Sequence, residues 1–334
     1  MDIRYFLGAN TAGGFISHYD QLIPDSGPHT LRILKGGSGC GKSTLMKKAA
    51  AHAEQLGMLV HRIPCSSDPD SLDGILIPEV RYAVVDGTAP HIVEPQLCGC
   101  GERYIDLGSG YDTERLQNCR PIFLEIQQAR QRCYPKATAC LKAAAALEHT
   151  VDSAPPLNRS ILRKAIRDHG TGGKIRTVFL SGHTPQGRIT FWETVQTLCP
   201  DVYLLRSSMR EITAFLRDAV QLAVSCGYDC LVCDSSLLPG TFWEHILIPE
   251  LGLAFVSDSP LSPYPGTAKQ VLGSYPDCGE VFSIQKSLLR DASLHLQHAR
   301  EYHSLLETGY APYVDFTAAN LATLDCCAEL EALR

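Results

Sequence analysis

The 334 residues suffice for about two domains, and 45% hydrophobic with 20% charged residues is the composition of a folded globular chain, which excludes general disorder. A net charge of −6, from 30 basic and 36 acidic side chains, gives no indication of a nucleic-acid partner. No apolar stretch approaches the ~18 residues of a membrane span, and Met1-Asp2-Ile3-Arg4 lacks the basic run and apolar core of a signal peptide, so a cytoplasmic chain without membrane contact is expected.

Leu31 to Leu34 reads as a short apolar strand, followed by Gly36-Gly37-Ser38-Gly39-Cys40-Gly41-Lys42-Ser43-Thr44. Within this run Gly36-x4-Gly41-Lys42-Ser43 is the P-loop, or Walker A, pattern. Leu45, Met46, Ala49, Ala53 and Leu56 then recur at helical spacing, with Gly57 placed to end the helix. The glycines let the main chain approach an anion closely. Their amides form an anion nest, and the helix N-terminus adds its positive end. In this pattern Lys42 neutralises the β- and γ-phosphates and Ser43 offers its hydroxyl to magnesium. Residues Gly36 to Thr44 are therefore expected to bind a nucleoside triphosphate, with ATP and Mg2+ as cofactors.

A second strand is expected over Leu59 to Ile63, ahead of the acidic run Cys65-Ser66-Ser67-Asp68-Pro69-Asp70-Ser71-Leu72-Asp73. That run reads as the start of a short helix, Asp70 as N-cap and Asp73 at the third position, with Asp68 as a candidate metal or water contact. Tyr82-Ala83-Val84-Val85-Asp86 fits the strand whose terminal carboxylate holds the metal. Lys42 and Asp86 are thus the expected catalytic pair, and Ser43 and Asp86 the expected metal ligands. Gly87 follows Asp86 where many P-loop ATPases carry a glutamate, which predicts slow or partner-activated turnover. Asp68, Glu79 and His91 are the candidates for orienting water.

Fourteen cysteines in a chain of this length without an export signal are expected to be reduced, most of them as small buried hydrophobes. Cys40 lies in the glycine run beside Lys42, a setting that favours the thiolate and hence redox sensitivity. Cys98 and Cys100, with Cys65 or His91, form a minor zinc candidate. Cys226-x3-Cys230-x2-Cys233 has the spacing of a radical S-adenosylmethionine cluster motif. Its placement on a strand, the counterpart of Leu59 to Arg62, points alternate side chains apart and argues against a cluster.

An internal repeat organises the chain. Arg4-Tyr5-Phe6-Leu7-Gly8 through Gly14 compares with Thr177-Val178-Phe179-Leu180-Ser181 through Gly187 at an offset of 173, and Ile75-Leu76-Ile77-Pro78-Glu79 recurs as Ile246-Leu247-Ile248-Pro249-Glu250 at 171. Strand Ile33-Leu34-Lys35 matches Leu204-Leu205-Arg206, but the following Ser207-Ser208-Met209-Arg210-Glu211-Ile212-Thr213-Ala214 has lost the glycines, lysine and serine. Residues 114–168, 284–306 and 317–334 read as helical extensions, with Gly170 to Gly173 as the linker between copies. Arg159, Arg163 and Arg167 read as a solvated helical face.

The ordered set Phe6-Leu7-Gly8, Asn10-Thr11, the P-loop, Cys65-Ser66-Ser67-Asp68, Ile77-Pro78-Glu79 and Val85-Asp86-Gly87-Thr88-Ala89-Pro90-His91 resembles a bacterial family of tandem P-loop ATPases. The resemblance implies ATP binding. In that family both copies often keep a P-loop, from which this sequence departs at 207 to 214. The expected fold is α/β: two P-loop NTPase-like parallel-sheet units, 1–170 and 174–334, each with a helical extension. The expected function is Mg–ATP binding with slow hydrolysis. Phosphotransfer to a small molecule is one alternative. The other is a non-enzymatic switch, in which ATP clamps the two copies and Arg206 or Arg210 reaches the nucleotide; an unidentified protein partner is a separate expectation.

Overall fold

The computed structural model describes residues 3–23, 27, 29–151, 155–167, 169–170 and 172–334. Met1, Asp2, Thr171 of the expected linker, and 152–154 and 168 of the first helical extension lie outside them. The first unit comprises β1 (Ile3–Arg4), the hairpin β2 (Gly8–Thr11) and β3 (Gly14–Ser17), β4 (Thr30–Lys35), α1 (Lys42–Gln55), β5 (His61–Cys65), β6 (Asp68–Ile77), β7 (Tyr82–Asp86) and β8 (Glu102–Asp106). Helices α2 (Thr113–Glu148) and α3 (Ser160–Ala165) lead to the second unit. That unit comprises β9 (Ile175–Val178), the hairpin β10 (Ser181–Thr184) and β11 (Gly187–Thr190), α4 (Trp192–Leu198), β12 (Asp201–Arg206), α5 (Met209–Ser225), β13 (Cys230–Asp234), β14 (Trp243–Ile248), β15 (Leu253–Ser257) and β16 (Gln270–Gly273). Helices α6 (Gly279–Tyr310) and α7 (Thr317–Ala332) close the chain.

The repeat is a repeat of topology. One six-stranded sheet has the order β1-β5-β6-β7-β4-β8, and the other has the order β9-β13-β14-β15-β12-β16 when read from the matching end. Both sheets are mixed, which corrects the expected parallel arrangement: β6 runs antiparallel to β5 and β7, as β14 does to β13 and β15. The reason is local. Only Ser66 and Ser67 separate β5 from β6, a connection that allows an antiparallel return, whereas a parallel pair needs a crossover of a dozen residues or more. The same turn corrects the expected helix at Asp70 to Asp73, which are residues of β6. Strand β5 also begins two residues later than expected, at His61.

Strand alternation divides the side chains between layers. On β4 and β7, Leu31, Ile33, Ala83 and Val85 face a core shared by both sheets, while Leu34, Tyr82 and Val84 face an outer layer with α1. The shared core continues through Phe6, Phe179, Phe191, Val202, Leu204 and Val256. At its centre Phe6 and Phe179, equivalent residues of the repeat, exchange main-chain hydrogen bonds of 2.8 and 2.9 Å. A local two-fold axis passes between them. Cys230 falls in the outer layer of the second unit and Cys233 in the shared core, on opposite faces of β13, so these thiols do not converge on a cluster.

The helical extensions cross over. Helices α2 and α6 pair antiparallel: Phe123 stacks on Tyr310 at 4.6 Å, Arg130 Nη1 donates to His303 Nδ1 at 2.8 Å, and Gln285 Nε2 donates to the Ala144 carbonyl at 3.1 Å. Beyond this arm α3, following the first unit, packs on the second. Its N-cap Arg159 pairs with Glu211 and Asp218 of α5 at 2.8 and 2.5 Å, so this arginine is a docking residue and not part of a free solvated face. Reciprocally α7, following the second unit, packs on the first, where Ala319, Ala322, Cys326 and Leu330 join Leu45, Met46 and Ala49. None of the described helices is long and apolar enough to cross a membrane.

Glu329 anchors α7. It accepts from Arg32 Nη2 at 2.8 Å, Arg32 Nε at 2.9 Å, Tyr82 Oη at 2.9 Å and Arg103 Nη2 at 2.8 Å. Burial works to raise its pKa, but the bonds from Arg32 and Tyr82 prevail and hold the carboxyl below its ordinary value. Its stabilisation is therefore complete above the unfolded carboxylate value, about 4.3, and is lost as pH falls through the lowered folded value. We expect Glu329→Gln to cost about 1 kcal/mol at neutral pH, read as a fall of a few degrees in Tm. The gap from the parent should narrow in thermal melts run below about pH 4.

Candidate functional site

The parallel pairing of β4 with β7 puts Leu34 opposite Asp86, so the glycine-rich loop and the Asp86 carboxylate emerge at one edge of the sheet. The loop occupies 36–41, between β4 and α1. Gly39 and Gly41 take φ of 74° and 94°, a region that favours glycine. A side chain at Gly36 would strike Cys40 Sγ, and one at Gly37 the Tyr111 hydroxyl. Gly41 caps α1 without a side-chain bond. Among the described residues, none accepts a hydrogen bond from the amides of Ser38, Gly39, Cys40 or Gly41. Donors without acceptors at a helix N-terminus form an anion cradle.

Lys42 folds back over this cradle. Its Nζ donates to the carbonyls of Gly36 at 2.7 Å and Gly37 at 2.9 Å and lies 3.6 Å from Asp86 Oδ2. Asp86 Oδ1 accepts from the Thr88 amide and hydroxyl at 2.9 and 2.6 Å, which fixes the carboxylate plane. Ser43 Oγ accepts from the Leu72 amide at 2.9 Å, tying α1 to β6. Thr44 is exposed at the mouth, and Cys40 turns inward, 2% exposed, beneath the loop. A thiol so buried is poorly placed for redox sensing.

The sequence pattern did not single out Asp73 as a site residue. Asp73 and Asp86 flank the antiparallel pair Gly74–Val85, which sets the two carboxylates side by side. The turn after β7 folds His91 against them, with Nε2 3.5 Å from Asp73 Oδ2. One donor atom from each of Asp73, Asp86 and His91 lies within 4.8 Å of the others. The imidazole stacks on Tyr19 at 4.9 Å, and its Nδ1 is buried without a protein partner. Burial raises the Asp73 carboxyl, Asp86 raises it further, and His91 opposes both. Adjacent buried acids with a hydroxyl and an imidazole at hand suit a hard divalent cation, which relieves the like-charge repulsion. Ser43, Asp73 and Asp86 are the residues that would hold one, with His91 beside them.

Of the other water-orienting candidates, Asp68 lines the same cleft but is engaged by Ser71 at 2.7 Å and by Arg300 at 2.7 Å. Glu79 sits exposed at the far end of β6, accepting from the Leu59 amide at 3.3 Å. Arg206 pairs with Asp258 at 2.7 Å inside the second unit, and Arg210 is exposed outside the cleft, so neither reaches the loop. Cys98 and Cys100 are exposed and join no metal-ligand grouping among the described residues.

The cleft above the loop measures about 1180 Å³ and is roofed by the helical arm through Phe123, Arg130, Arg300 and Glu307, with Phe316 added from the start of α7. The equivalent place in the second unit holds about 60 Å³. There the chain passes from β12 to α5 through Ser207 and Ser208 alone, and Ser208 Oγ caps the helix by accepting from the Glu211 amide at 3.4 Å. Register equates Asp73 with Glu244, Asp86 with Ser257 and Phe15 with Arg188. Arg188 Nη2 meets Glu244 Oε2 at 2.9 Å, so the remaining acid carries its own cation. Burial pushes His183 down to about 3 and His245 down to about 4, leaving both imidazoles neutral.

Compared with protein-family models, curated proteins and solved structures, the chain finds no match in any of the three.

The raised Asp73 carboxyl makes a signed prediction. A folded pKa above the unfolded one penalises the apoprotein at neutral pH, and the penalty disappears as pH falls to the unfolded value. Asp73→Asn should therefore melt a few degrees higher than the parent at pH 7.5 without divalent metal, with the advantage fading toward pH 4. In the same melts, millimolar Mg2+ should stabilise the parent and leave the variant unmoved.

Proposed function

We propose that the first unit binds ATP with Mg2+ in the manner of a P-loop ATPase and hydrolyses it slowly, and that the second unit is its degenerate partner. One contrast carries this reading. The first unit keeps uncapped loop amides beside two adjacent buried acids, while the second has shortened the loop, capped the helix and neutralised its acid. An open donor cradle beside two adjacent buried acids, whose basic neighbours are Lys42 at 3.6 Å and His91 at 3.5 Å, suits an anion and a cation together, which is the charge pattern of a metal-bound triphosphate.

In this reading the amides of 38–41 take the phosphate oxygens. Lys42 exchanges its loop carbonyls for the β- and γ-phosphates, and Ser43, Asp73 and Asp86 hold the metal. Bound magnesium supplies charge neutralisation at the phosphates. His91 is the water-orienting candidate that stands inside the acid cluster. Gly87 leaves no carboxylate at the next position, which fits slow turnover. The cleft exceeds the ~300–1,000 Å³ of a common ligand site, and that surplus under the arm favours phosphotransfer to a small acceptor as the second reading.

Binding of labelled ATP with Mg2+ should be saturable in the parent and at least ~30-fold weaker in Lys42→Ala, the loss expected when a charge-assisted contact is removed. Free labelled phosphate supports hydrolysis, and a second labelled product identifies phosphotransfer. Equal ATP binding by parent and variant would overturn the proposal.

A further inference from the structure

Strand β6 reaches past the sheet edge before it turns. Pro64 and Cys65 are consecutive, yet their partners Leu72 and Asp68 are four residues apart, so the intervening chain bulges and Asp68 curls back toward the loop. Leu72 is also the residue whose amide meets Ser43 Oγ. This bulge forms the wall of the cleft nearest the metal-ligand cluster.

A single cation from the second unit's long helix is lodged against that wall. Arg300 of α6 places Nη2 2.7 Å from Asp68 Oδ1 and 3.1 Å from Asp70 Oδ2. It lines the same cleft as Lys42, Ser43 and Asp86 and is about one-third exposed. His303 and Glu307 follow on the same helical face. The Glu307 main chain lies directly over Gly39, so Arg300 stands two turns, about 10 Å, farther along the roof.

Each aspartate has a further partner besides Arg300. Asp68 keeps the Ser71 hydroxyl at 2.7 Å, Asp70 keeps Gln186 Nε2 at 3.2 Å, and Lys47 Nζ donates to the Asp70 carbonyl at 2.5 Å. Releasing the guanidinium leaves each carboxylate one hydrogen-bond partner, while Asp68 Oδ1, buried against Arg300, must then be reached by water from the cleft that both residues line. A planar guanidinium that trades a partly buried and an exposed carboxylate for a terminal phosphate gains a bidentate, more highly charged partner.

We infer that Arg300 recognises the terminal phosphate of the bound nucleotide, and that it does so by leaving Asp68 and Asp70. This deepens the nucleotide reading above and rests on it. The second copy, which has no site of its own, would then supply the residue that tells triphosphate from diphosphate. The same move frees the arm from the β6 wall, so the arm's position reports the nucleotide state.

A plain structural clip makes a different prediction, and three variants separate the two. Dissociation constants for ATP and for ADP, each with Mg2+, are measured by calorimetry on the full chain, with thermal melts confirming folding. The expected result for Arg300→Ala is a loss of about tenfold or more in the preference for ATP over ADP, with ADP affinity nearly unchanged. Arg300→Lys, which keeps the charge and loses the fork, should fall between. The double variant Asp68→Asn, Asp70→Asn frees Arg300 without removing it and should keep or increase the ATP preference. The inference is overturned if Arg300→Ala and the double variant lose the preference together, as a clip requires. It is equally overturned if Arg300→Ala weakens ATP and ADP alike or changes neither. Failure of the parent to bind either nucleotide is a separate outcome, which removes the nucleotide reading itself.

Discussion

The reciprocal bonds between Phe6 and Phe179 set the geometry on which everything else depends. Two identical positions of a repeat pair with each other, which places the units about a local two-fold axis and welds their sheets through one core. Each sheet then has a single remaining apolar face, turned outward and covered by helices: α1 and α7 on one side, α5 and α3 on the other. The arrangement is a covalently linked version of an isologous dimer, in which a contact made once is made twice.

The crossing of α3 and α7 follows from that axis. A long helix leaving each unit meets its counterpart, and the two pair antiparallel as an arm. Each chain segment then descends on the side opposite its origin. Folding of the first unit's outer layer consequently requires residues 319–330, at the far end of the chain, with Glu329 fixing their register against Arg32 and Tyr82. The second copy thus has a structural role in the first. It carries the roof of the first copy's cleft and the helix that closes its outer layer. The short connection from β12 to α5 leaves those walls intact.

Sequence patterning resolved the features that are local. The glycine run, the strand before it, the helix Lys42–Gln55 and the strand ending at Asp86 all follow from period and punctuation within a dozen residues. The repeat was legible because Ile-Leu-Ile-Pro-Glu recurs identically, and shared topology bears it out. What escaped was pairing direction. Asp70 and Asp73 carry the capping spacing of a helix start, and only the return from β5 makes them strand residues. Once β6 runs antiparallel to β7, Asp73 moves from a turn to the side of Asp86. The equivalence of Asp73 with Glu244, both acidic at an offset of 171, was the one signal in the sequence that would have flagged it. Arg300 carried no signal at all, because its partners are more than two hundred residues away and belong to the other copy.

The two sites diverged by charge compensation as much as by loss of glycine. Deleting four loop residues alone would leave the acids facing an empty cradle, and buried adjacent acids without a counter-charge are costly. The second unit answers on three fronts: Ser257 replaces one acid, Arg188 enters from the hairpin where the first unit has Phe15, and two neutral histidines fill the remainder. Such a network needs no ligand and leaves only about 60 Å³ unfilled. The first unit has done none of this. It keeps Phe15 apolar and both acids in place, with Lys42 and His91 beside them at 3.6 and 3.5 Å and burial still raising the Asp73 carboxyl. Under the proposed reading, the unit whose cleft stays open, about 1180 Å³ against about 60 Å³, is the one that takes the ligand.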